Sequence, residues 1–416
     1  MVDPAPGGRY DGGVTVGPIP GGTYDGGDVA DADARQSHPI ISKIFIITLT
    51  PTLLLFHKIY NDCAAETGGR SSSPAVDRKL LRPAFHPKMA EHDFIFKIRG
   101  LEMKIEVLGT ESLGVRGLSC VVEAEGRTIV IDPGVALGYL RRGKLPHPHQ
   151  VAVGAEVRER IVEALGRASD VVISHYHGDH IPLADANPYQ LSLNRVPPLN
   201  GVRLWCKGPH DLSELSVQRW IDIFRFAGCI LPDAEERTDG PISFSSPAPH
   251  GPRGSKLCTV MMTRIQEGNE VFVHASDIQL LDEVAISTII KWQPTIVLAS
   301  GPPLYLPRLS PDLRKAAWEN GKALAEEVET LILDHHLLRS VSGYRWMERL
   351  SLASNNKVTC AARFMGIEPR LLEAKRDQLY AKMPVPPGWH EAYASGKASL
   401  EGYRDLSPES QQSMRV

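Results

Sequence analysis

Six consecutive residues in the middle of the chain include four side chains that can bind a metal ion. The segment 175–180, HYHGDH, directly follows the apolar run Val171-Val172-Ile173. A strand or helix cannot turn four such neighbours towards one point, whereas a loop leaving a buried strand can fan them out. Imidazole and carboxylate ligands suit zinc, manganese or iron rather than calcium. The segment therefore predicts a metal site at a strand end, in preference to a polar loop with solvated histidines.

The overall composition is that of an ordinary globular protein. The chain has 416 residues, of which 42% are hydrophobic and 23% charged, and its formal net charge is −3. These values exclude a collagen-like, a wholly disordered and a polytopic membrane protein, and they give no general attraction for nucleic acid. The six cysteines form no CxxC pair. Neither a disulfide framework nor a cysteine zinc site is predicted, and a reducing cytoplasmic location is expected.

Residues 1–100 differ in composition from the rest. The near-repeat GGRYDGG at 7–13 and GGTYDGG at 21–27 is low in apolar residues, so we expect a low-complexity N-terminal extension that is disordered or results from an upstream start. The apolar run 40–56 is shorter than the roughly 20 residues that span a bilayer. Because the segment before it is acidic, no membrane association is expected.

Residues 101–416 show strand hairpins followed by strands that alternate with helices. Three short strands are predicted at Met103–Leu108, Ser119–Glu123 and Arg127–Ile131, and an amphipathic helix at Ala155–Leu165. Later strands are predicted at 171–174, 202–206, 242–244, 257–263, 271–274, 295–299 and 330–333, and later helices at 212–227, 279–292, 311–327 and 368–382. This order indicates one layered α/β domain with two sheets and outer helices, whose C-terminal helices cover the core or form an oligomer contact.

The HxHxDH pattern after an apolar strand resembles the signature of the metallo-β-lactamase superfamily. This resemblance implies a four-layer αββα sandwich with a two-metal site along one edge of its sheets. Four further motifs occur in the order of that family: IDPG with a structural Asp132, SPAPHG with His250, VHASD with Asp277, and ILDHH with His335. His336 adjoins His335, and we prefer His335 because its offset from the preceding strand equals that of His175. His250 as an ordinary loop histidine and Asp277 as a helix cap remain the alternatives.

The resemblance assigns the ligands to two divalent ions, expected to be zinc, with Asp277 as the bridge: His175, His177 and His250 for the first ion, and Asp179, His180 and His335 for the second. A hydroxide shared by both ions would attack the substrate, with Asp179 or a water returning the proton to the leaving group. Arg253 and Lys256 follow His250 in a Gly-rich loop. They are predicted to bind a phosphate or carboxylate of the substrate, with a solvated basic turn as the alternative.

The histidines outside these motifs receive structural roles. His274, three residues before Asp277, is predicted to be a buried structural residue. His147, His149, His210 and His390 are predicted to lie at the surface or in loops.

Several segments resemble an uncharacterised archaeal family of predicted metallo-β-lactamase-fold hydrolases, which implies the scaffold but no substrate. True β-lactamases of this fold have a cysteine where this chain has Asp277, so antibiotic hydrolysis is not expected. The leading hypothesis is hydrolysis of a phosphodiester or a phosphorylated, nucleotide-like small molecule. Alternatives are an ester, thioester or lactone hydrolase on the same metals, or a non-catalytic scaffold associated with nucleic acid. A homo-oligomer is left open.

Overall fold

The computed structural model describes residues 103–229, 231–254 and 258–404. The predictions for the N-terminal extension and for the apolar run 40–56 fall outside this part of the chain. Within it, no helix combines the length and the apolar character that crossing a membrane requires.

Five strands form the first sheet in sequence order: β1 (Lys104–Gly109), β2 (Ser119–Ala124), β3 (Arg127–Ile131), β4 (Asp170–Ile173) and β5 (Arg203–Cys206). The first three strands are antiparallel, while β3, β4 and β5 run parallel. Side chains alternate between the two faces, as the pleat of a strand requires. Cys120 and Val122 of β2 belong to the core shared with the second sheet, and Val121 belongs to a separate core on the opposite face.

Nine further strands follow: β6 (Thr238–Asp239), β7 (Ile242–Phe244), β8 (Ala248–Pro249), β9 (Thr259–Val260), β10 (Thr263–Glu267), β11 (Glu270–Ala275), β12 (Ile296–Ala299), β13 (Thr330–Leu333) and β14 (Val358–Thr359). Seven of them form the second sheet in the order β14-β13-β12-β11-β10-β7-β6, and β8 pairs with β9 as a separate ribbon. The strands β11 to β14 are parallel to one another. Their carboxyl ends therefore meet at one edge of the sheet.

The helices lie on the outer faces of the two sheets. They are α1 (Pro148–Gly166), α2 (Glu214–Ala227), α3 (Glu283–Lys291), α4 (Pro311–Glu327), α5 (Val341–Ala353), α6 (Ala361–Phe364), α7 (Arg376–Lys382), α8 (Trp389–Ala394) and α9 (Glu401–Arg404). Buried residues of α1 and α2 pack in the core outside the first sheet, and those of α3, α4 and α5 pack with the second sheet. The predicted four-layer αββα sandwich is confirmed. From the C-terminal helices, Leu379 and Trp389 add to the core around α1.

Helix α1 begins seven residues before its predicted start, at Pro148 instead of Ala155. Its first turns contain Val151, Ala152 and Val153, all of which are buried. A helix segment that is buried on every side has no polar face, so its sequence shows no helical periodicity.

The prediction of a surface or loop position is wrong for His149, which is buried in the first turn of α1, whereas His147 lies in the loop before this helix but is buried there. His147 caps α1: its Nδ1 accepts a hydrogen bond from the backbone N–H of His149, and Gln150 accepts one from the backbone N–H of His147. This reciprocal pairing satisfies N–H groups that a helix start otherwise leaves without partners.

The single strand predicted at 257–263 is also wrong. Thr259 and Val260 pair with β8, whereas Thr263 begins β10 and pairs with β11. The apolar run in the sequence is continuous because Met261 and Met262 between the two strands are buried as well.

Candidate metal centre

The conspicuous polar residues of the sequence lie at the carboxyl ends of parallel strands. Asp132 follows β3, the segment 175–180 begins two residues after β4, Asp277 follows β11, and His335 follows β13. In each sheet these ends lie along one edge, where loops present side chains free of the strand's alternation. The topology therefore explains why residues up to 203 positions apart in the sequence (132 to 335) approach one another.

One oxygen of the Asp277 carboxylate faces three histidines. The distances from Oδ2 are 2.6 Å to Nε2 of His250, 3.3 Å to Nε2 of His175 and 3.8 Å to Nδ1 of His177. These four residues form a group whose potential ligand atoms all lie within 4.8 Å of one another. This is the set that the resemblance to the metallo-β-lactamase superfamily implies for the first ion.

The other oxygen of Asp277 faces a different set. Its Oδ1 lies 3.2 Å from Nε2 of His335 and 3.4 Å from Nε2 of His180, and it accepts a hydrogen bond of 2.9 Å from the hydroxyl of Ser300. Asp179, His180 and His335 form a second group of potential ligands within the same 4.8 Å limit. The two oxygens of one carboxylate are thus divided between the two sets that the resemblance implies for two ions.

His336 lies on the side of the first set. Its Nε2 is 3.4 Å from Oδ2 of Asp277, the oxygen that also faces His250. Of the two adjacent histidines, His335 is the one grouped with Asp179. The preference for His335 stays a prediction, and His336 lies close enough to be tested beside it.

Asp132 fixes the loop that carries the ligands. It is fully buried and accepts four hydrogen bonds: from the backbone N–H of Ser174 at 2.9 Å, from the hydroxyls of Ser174 at 2.7 Å and Ser276 at 2.5 Å, and from Nδ1 of His180 at 2.9 Å. The last bond orients the ring so that its Nε2 points to the cluster. Gly134 allows this approach, because a Cβ there would lie only 2.1 Å from the backbone nitrogen of Ile181.

The backbone at three of these positions is held in an uncommon conformation. Asp132, Asp277 and His335 have φ values of 48°, 52° and 41°. Residues other than glycine avoid this left-handed region, and such strain concentrates at functional sites.

Glu111 is a site residue that the sequence analysis missed. It is buried at the start of a short 3₁₀ turn, and its Oε2 lies 2.8 Å from Nδ1 of His335. Its Oε1 accepts a hydrogen bond of 2.8 Å from Nε of Arg339. Burial raises the pKa of Glu111 to about 8 against the opposing effect of the Arg339 charge, so its ionised form depends on the cations around it. No local pattern marks Glu111, which lies 224 residues from His335 in the sequence.

Burial sets the protonation state of most of the histidines. It lowers the pKa of His175 from 6.5 to about 3, and it lowers the pKa of His250 and His335 as well. These rings are therefore neutral, which is the form that binds metal ions. Burial acts in the same sense on His180, but Asp277 and two other carboxylates outweigh it and raise the pKa of His180 well above its ordinary value. A metal ion held by Nε2 of His180 would take the place of that proton.

The residues present fit a pair of divalent ions. The Nε2 atom of His175 is buried and makes no hydrogen bond with any described residue, although it lies 3.3 Å from Oδ2 of Asp277. A buried ring nitrogen that faces a carboxylate and two other imidazoles without a hydrogen bond is explained by a metal ion between them. Imidazoles with a few carboxylates are the donor set that zinc prefers.

Of the two predicted substrate-binding cations, Arg253 does not join the cluster. Arg253 has a side chain that is 66% exposed, and its Nε contacts Oδ2 of Asp282, the cap of α3, at 3.2 Å. Lys256 lies outside the described residues. His274 is buried, and its Nε2 donates to the carbonyl oxygen of Leu118 at 2.8 Å, in agreement with a structural role.

Solved structures with a related fold include two hydrolases. One is a metal-dependent hydrolase of the beta-lactamase superfamily, with a TM-score of 0.39 and 14% identity, covering 62% of this chain and 94% of its own. The other is an isothiocyanate hydrolase from Delia radicum gut bacteria, with a TM-score of 0.38 and 14% identity, covering 59% and 93%. At these TM-scores neither likeness bears on activity.

No family model matches the chain, but proteins of similar sequence do. A UPF0282 protein from Methanosarcina mazei is 52% identical over 301 residues, which cover 72% of this chain and 99% of that protein. A UPF0282 protein from Pyrococcus abyssi is 34% identical over 289 residues, covering 67% and 92%. Because nearly the full length of these archaeal relatives is matched at such identity, the chain belongs to the UPF0282 family.

Proposed function

We propose that the protein is a dinuclear metal-dependent hydrolase that acts on a phosphodiester or a phosphorylated small molecule. The observation that supports this most directly is the division of the Asp277 carboxylate between two sets of ligands. A carboxylate that only caps a helix does not require six imidazoles around its two oxygens. A site that shares two ions needs such a bridge.

In this proposal His175, His177 and His250 would hold the first ion, Asp179, His180 and His335 would hold the second, and Asp277 would contribute one oxygen to each. When bound, two such ions lower the pKa of a shared water towards neutrality and stabilise the negative charge that develops on the substrate. Zinc suits the donor set best, with manganese or iron as further candidates.

The surrounding residues hold these ligands ready. Asp132 and Glu111 each contact the Nδ1 atom of a ligand histidine, His180 and His335 respectively, so that each Nε2 faces the cluster. Such partners fix ring orientation and increase ligand basicity. The Ser300 hydroxyl does the same for the bridging carboxylate.

Asp179 combines a ligand position with access to solvent. Its side chain is 17% exposed, whereas those of His180 and His335 are fully buried. Burial acts to raise the pKa of Asp179, but the nearby positive charges of His180 and Arg339 outweigh burial and hold this pKa well below its ordinary value. A carboxylate that is so strongly ionised holds a cation well and donates a proton poorly. We therefore assign Asp179 as a metal ligand and water as the source of the proton for the leaving group.

The experiment is a substrate panel on protein loaded with zinc or manganese. It compares bis(p-nitrophenyl) phosphate and p-nitrophenyl phosphate with p-nitrophenyl acetate, a thioester and a lactone. We expect turnover of a phosphate ester that is lost in Asp277→Asn and retained in Asp282→Asn, which replaces a buried helix cap of similar size near the site.

The other outcomes separate the alternatives. Turnover confined to the carboxylic ester, thioester or lactone would assign the same site to acyl substrates. Metal binding without any turnover, combined with salt-dependent binding of RNA, would favour a non-catalytic scaffold.

A further inference from the structure

A buried guanidinium lies against the second set of ligands. The side chain of Arg339 is only 7% exposed, and its Nη2 lies 3.1 Å from Nε2 of His335 and 3.3 Å from Oδ2 of Asp179. Its Nε donates to Oε1 of Glu111 at 2.8 Å. An arginine keeps its charge at every physiological pH. Arg339 thus places a permanent positive charge beside whatever His335 and Asp179 hold.

Nothing in the proposed metal chemistry requires a cation in this position, because a positive charge opposes the binding of a metal ion to the same ligands. Burying the charge is also costly unless a negative partner compensates it. In the proposed site Asp179 binds the metal ion. Among the described residues, Glu111 is then the remaining carboxylate in direct contact with Arg339.

The surroundings increase the positive charge. Glu373 is buried and surrounded by arginines: Arg116 binds it through two nitrogens, Arg141 contacts it at 3.1 Å, and Arg376 and Arg339 lie close enough to lower its pKa. Apart from Asp179, which the proposal assigns to the metal ion, two carboxylates, Glu373 and Glu111, therefore face four guanidinium groups. A region with this imbalance, next to a site for two divalent cations, favours an anionic ligand.

The guanidinium is also held in place with donors to spare. Arg141 donates a hydrogen bond to the backbone carbonyl oxygen of Arg339 at 2.6 Å. The guanidinium carbon of Arg141 lies 5.2 Å from the ring centre of Tyr305. The Tyr305 hydroxyl is 3.4 Å from Nη1 of Arg339, a distance at which a hydrogen bond is weak. Nη1 can therefore exchange this contact for a stronger one to an oxyanion.

From these observations we infer that Arg339, with the Tyr305 hydroxyl beside it, binds the phosphate group of the substrate at the edge of the second metal set. The inference rests on the proposed function and gives the substrate of that site a phosphate as its recognised group. Arg339 takes the role that the sequence suggested for Arg253, whose side chain is largely exposed and bound to Asp282.

The test measures binding of inorganic phosphate to the metal-loaded full chain by calorimetry, with acetate as the comparison anion and metal content measured on each sample. We expect Arg339→Gln to keep its metal ions and to bind phosphate about 10-fold to 100-fold more weakly, the effect of losing a charge-assisted hydrogen bond. Arg339→Lys should retain an intermediate affinity, and Tyr305→Phe should show a smaller loss. Arg127→Gln is the matched control, since Arg127 is a buried, ion-paired arginine at a distant site.

Several results would overturn the inference. The first is an unchanged phosphate affinity in Arg339→Gln, or a loss of phosphate binding in Arg253→Gln instead. The second is an equal affinity of the wild type for acetate and phosphate. The third is a loss of metal ions in both Arg339 variants, which would show that Arg339 only supports the ligands. Should Arg339→Gln fail to fold, the lysine variant and Tyr305→Phe carry the comparison.

The outcomes for the two proposals remain distinct. If the wild type binds phosphate through Arg339 but hydrolyses no member of the panel, the hydrolase proposal fails and the anion site stands. If the wild type hydrolyses phosphate esters while Arg339→Gln binds phosphate like the wild type, the hydrolase proposal stands and the proposed anion site fails.

Discussion

Replacing Asp132 by Asn should weaken metal binding by a predictable amount. Oδ2 of Asp132 accepts hydrogen bonds from the Ser174 hydroxyl, the Ser276 hydroxyl and Nδ1 of His180, while Oδ1 accepts from the backbone N–H of Ser174. An amide has only one oxygen, so either orientation of the asparagine leaves at least one buried donor facing an N–H₂ group. Losing a hydrogen bond to a charged acceptor costs about 1.5–3 kcal/mol.

The same change releases His180 from its fixed orientation. Losing the partner of a ligand histidine typically reduces metal affinity about 10-fold to 100-fold, which corresponds to about 1.4–2.8 kcal/mol. The assay is a competition titration of zinc against a chromophoric chelator, combined with urea unfolding of the metal-free protein to measure the free energy of unfolding.

Asp170→Asn provides the control for Asp132→Asn. Asp170 is also fully buried and accepts from Arg127, Arg203 and Trp205, but it lies at the opposite end of β4 from the metal loop. We expect Asp170→Asn to destabilise the fold without changing metal affinity. The reasoning is refuted if Asp132→Asn binds zinc like the wild type, or if both variants lose metal affinity equally.

Three further predictions address single residues. His335→Asn should reduce the metal content of the chain from about two ions to about one, whereas His336→Asn should keep both ions. Mass spectrometry measures the metal content of each variant, and the opposite pattern would make His336 the ligand. Glu111→Gln should weaken the second ion about 10-fold to 100-fold, because one amide oxygen cannot serve both His335 and Arg339; equal chelator titrations for variant and wild type would exclude this role. Burial lowers the pKa of His147 from 6.5 to about 4. Between pH 6.5 and pH 4, His147 therefore binds a proton in the unfolded chain but not in the folded chain. The free energy of unfolding is highest above pH 6.5 and should decrease by about 3 kcal/mol as the pH falls to 4. Urea unfolding should show a flatter pH profile for His147→Asn, and identical profiles would contradict this account.

The grouping of the candidate ligand residues could be predicted from the sequence because each motif is local. The HYHGDH segment is recognisable from its composition alone. Asp277 and His335 each follow an apolar run, and these runs form β11 and β13 in the structure. The order of these runs also suffices for the layered architecture, since parallel strands bring their carboxyl ends to one edge.

The residues that surround the ligands could not be found in this way. Glu111 reaches His335 across 224 residues, and Ser300 reaches Asp277 across 23, through tertiary contacts that no sequence period encodes. Arg339 had a weak signal, since it follows His335 by four positions, and the 3₁₀ turn 335–339 brings its guanidinium back to that ring. Arg253 shows the converse: its proximity to His250 in sequence does not bring its side chain to the cluster, because Asp282 binds it.

The most direct test of the account is the metal content of the full chain, purified without chelator and reconstituted with zinc, measured for the wild type and for Asp277→Asn by mass spectrometry. The account predicts about two ions per wild-type chain and a loss of at least one of them in the variant, because both sets share the oxygens of Asp277. A wild type that binds no stoichiometric metal, or a variant that keeps both ions at unchanged affinity, would contradict the dinuclear site.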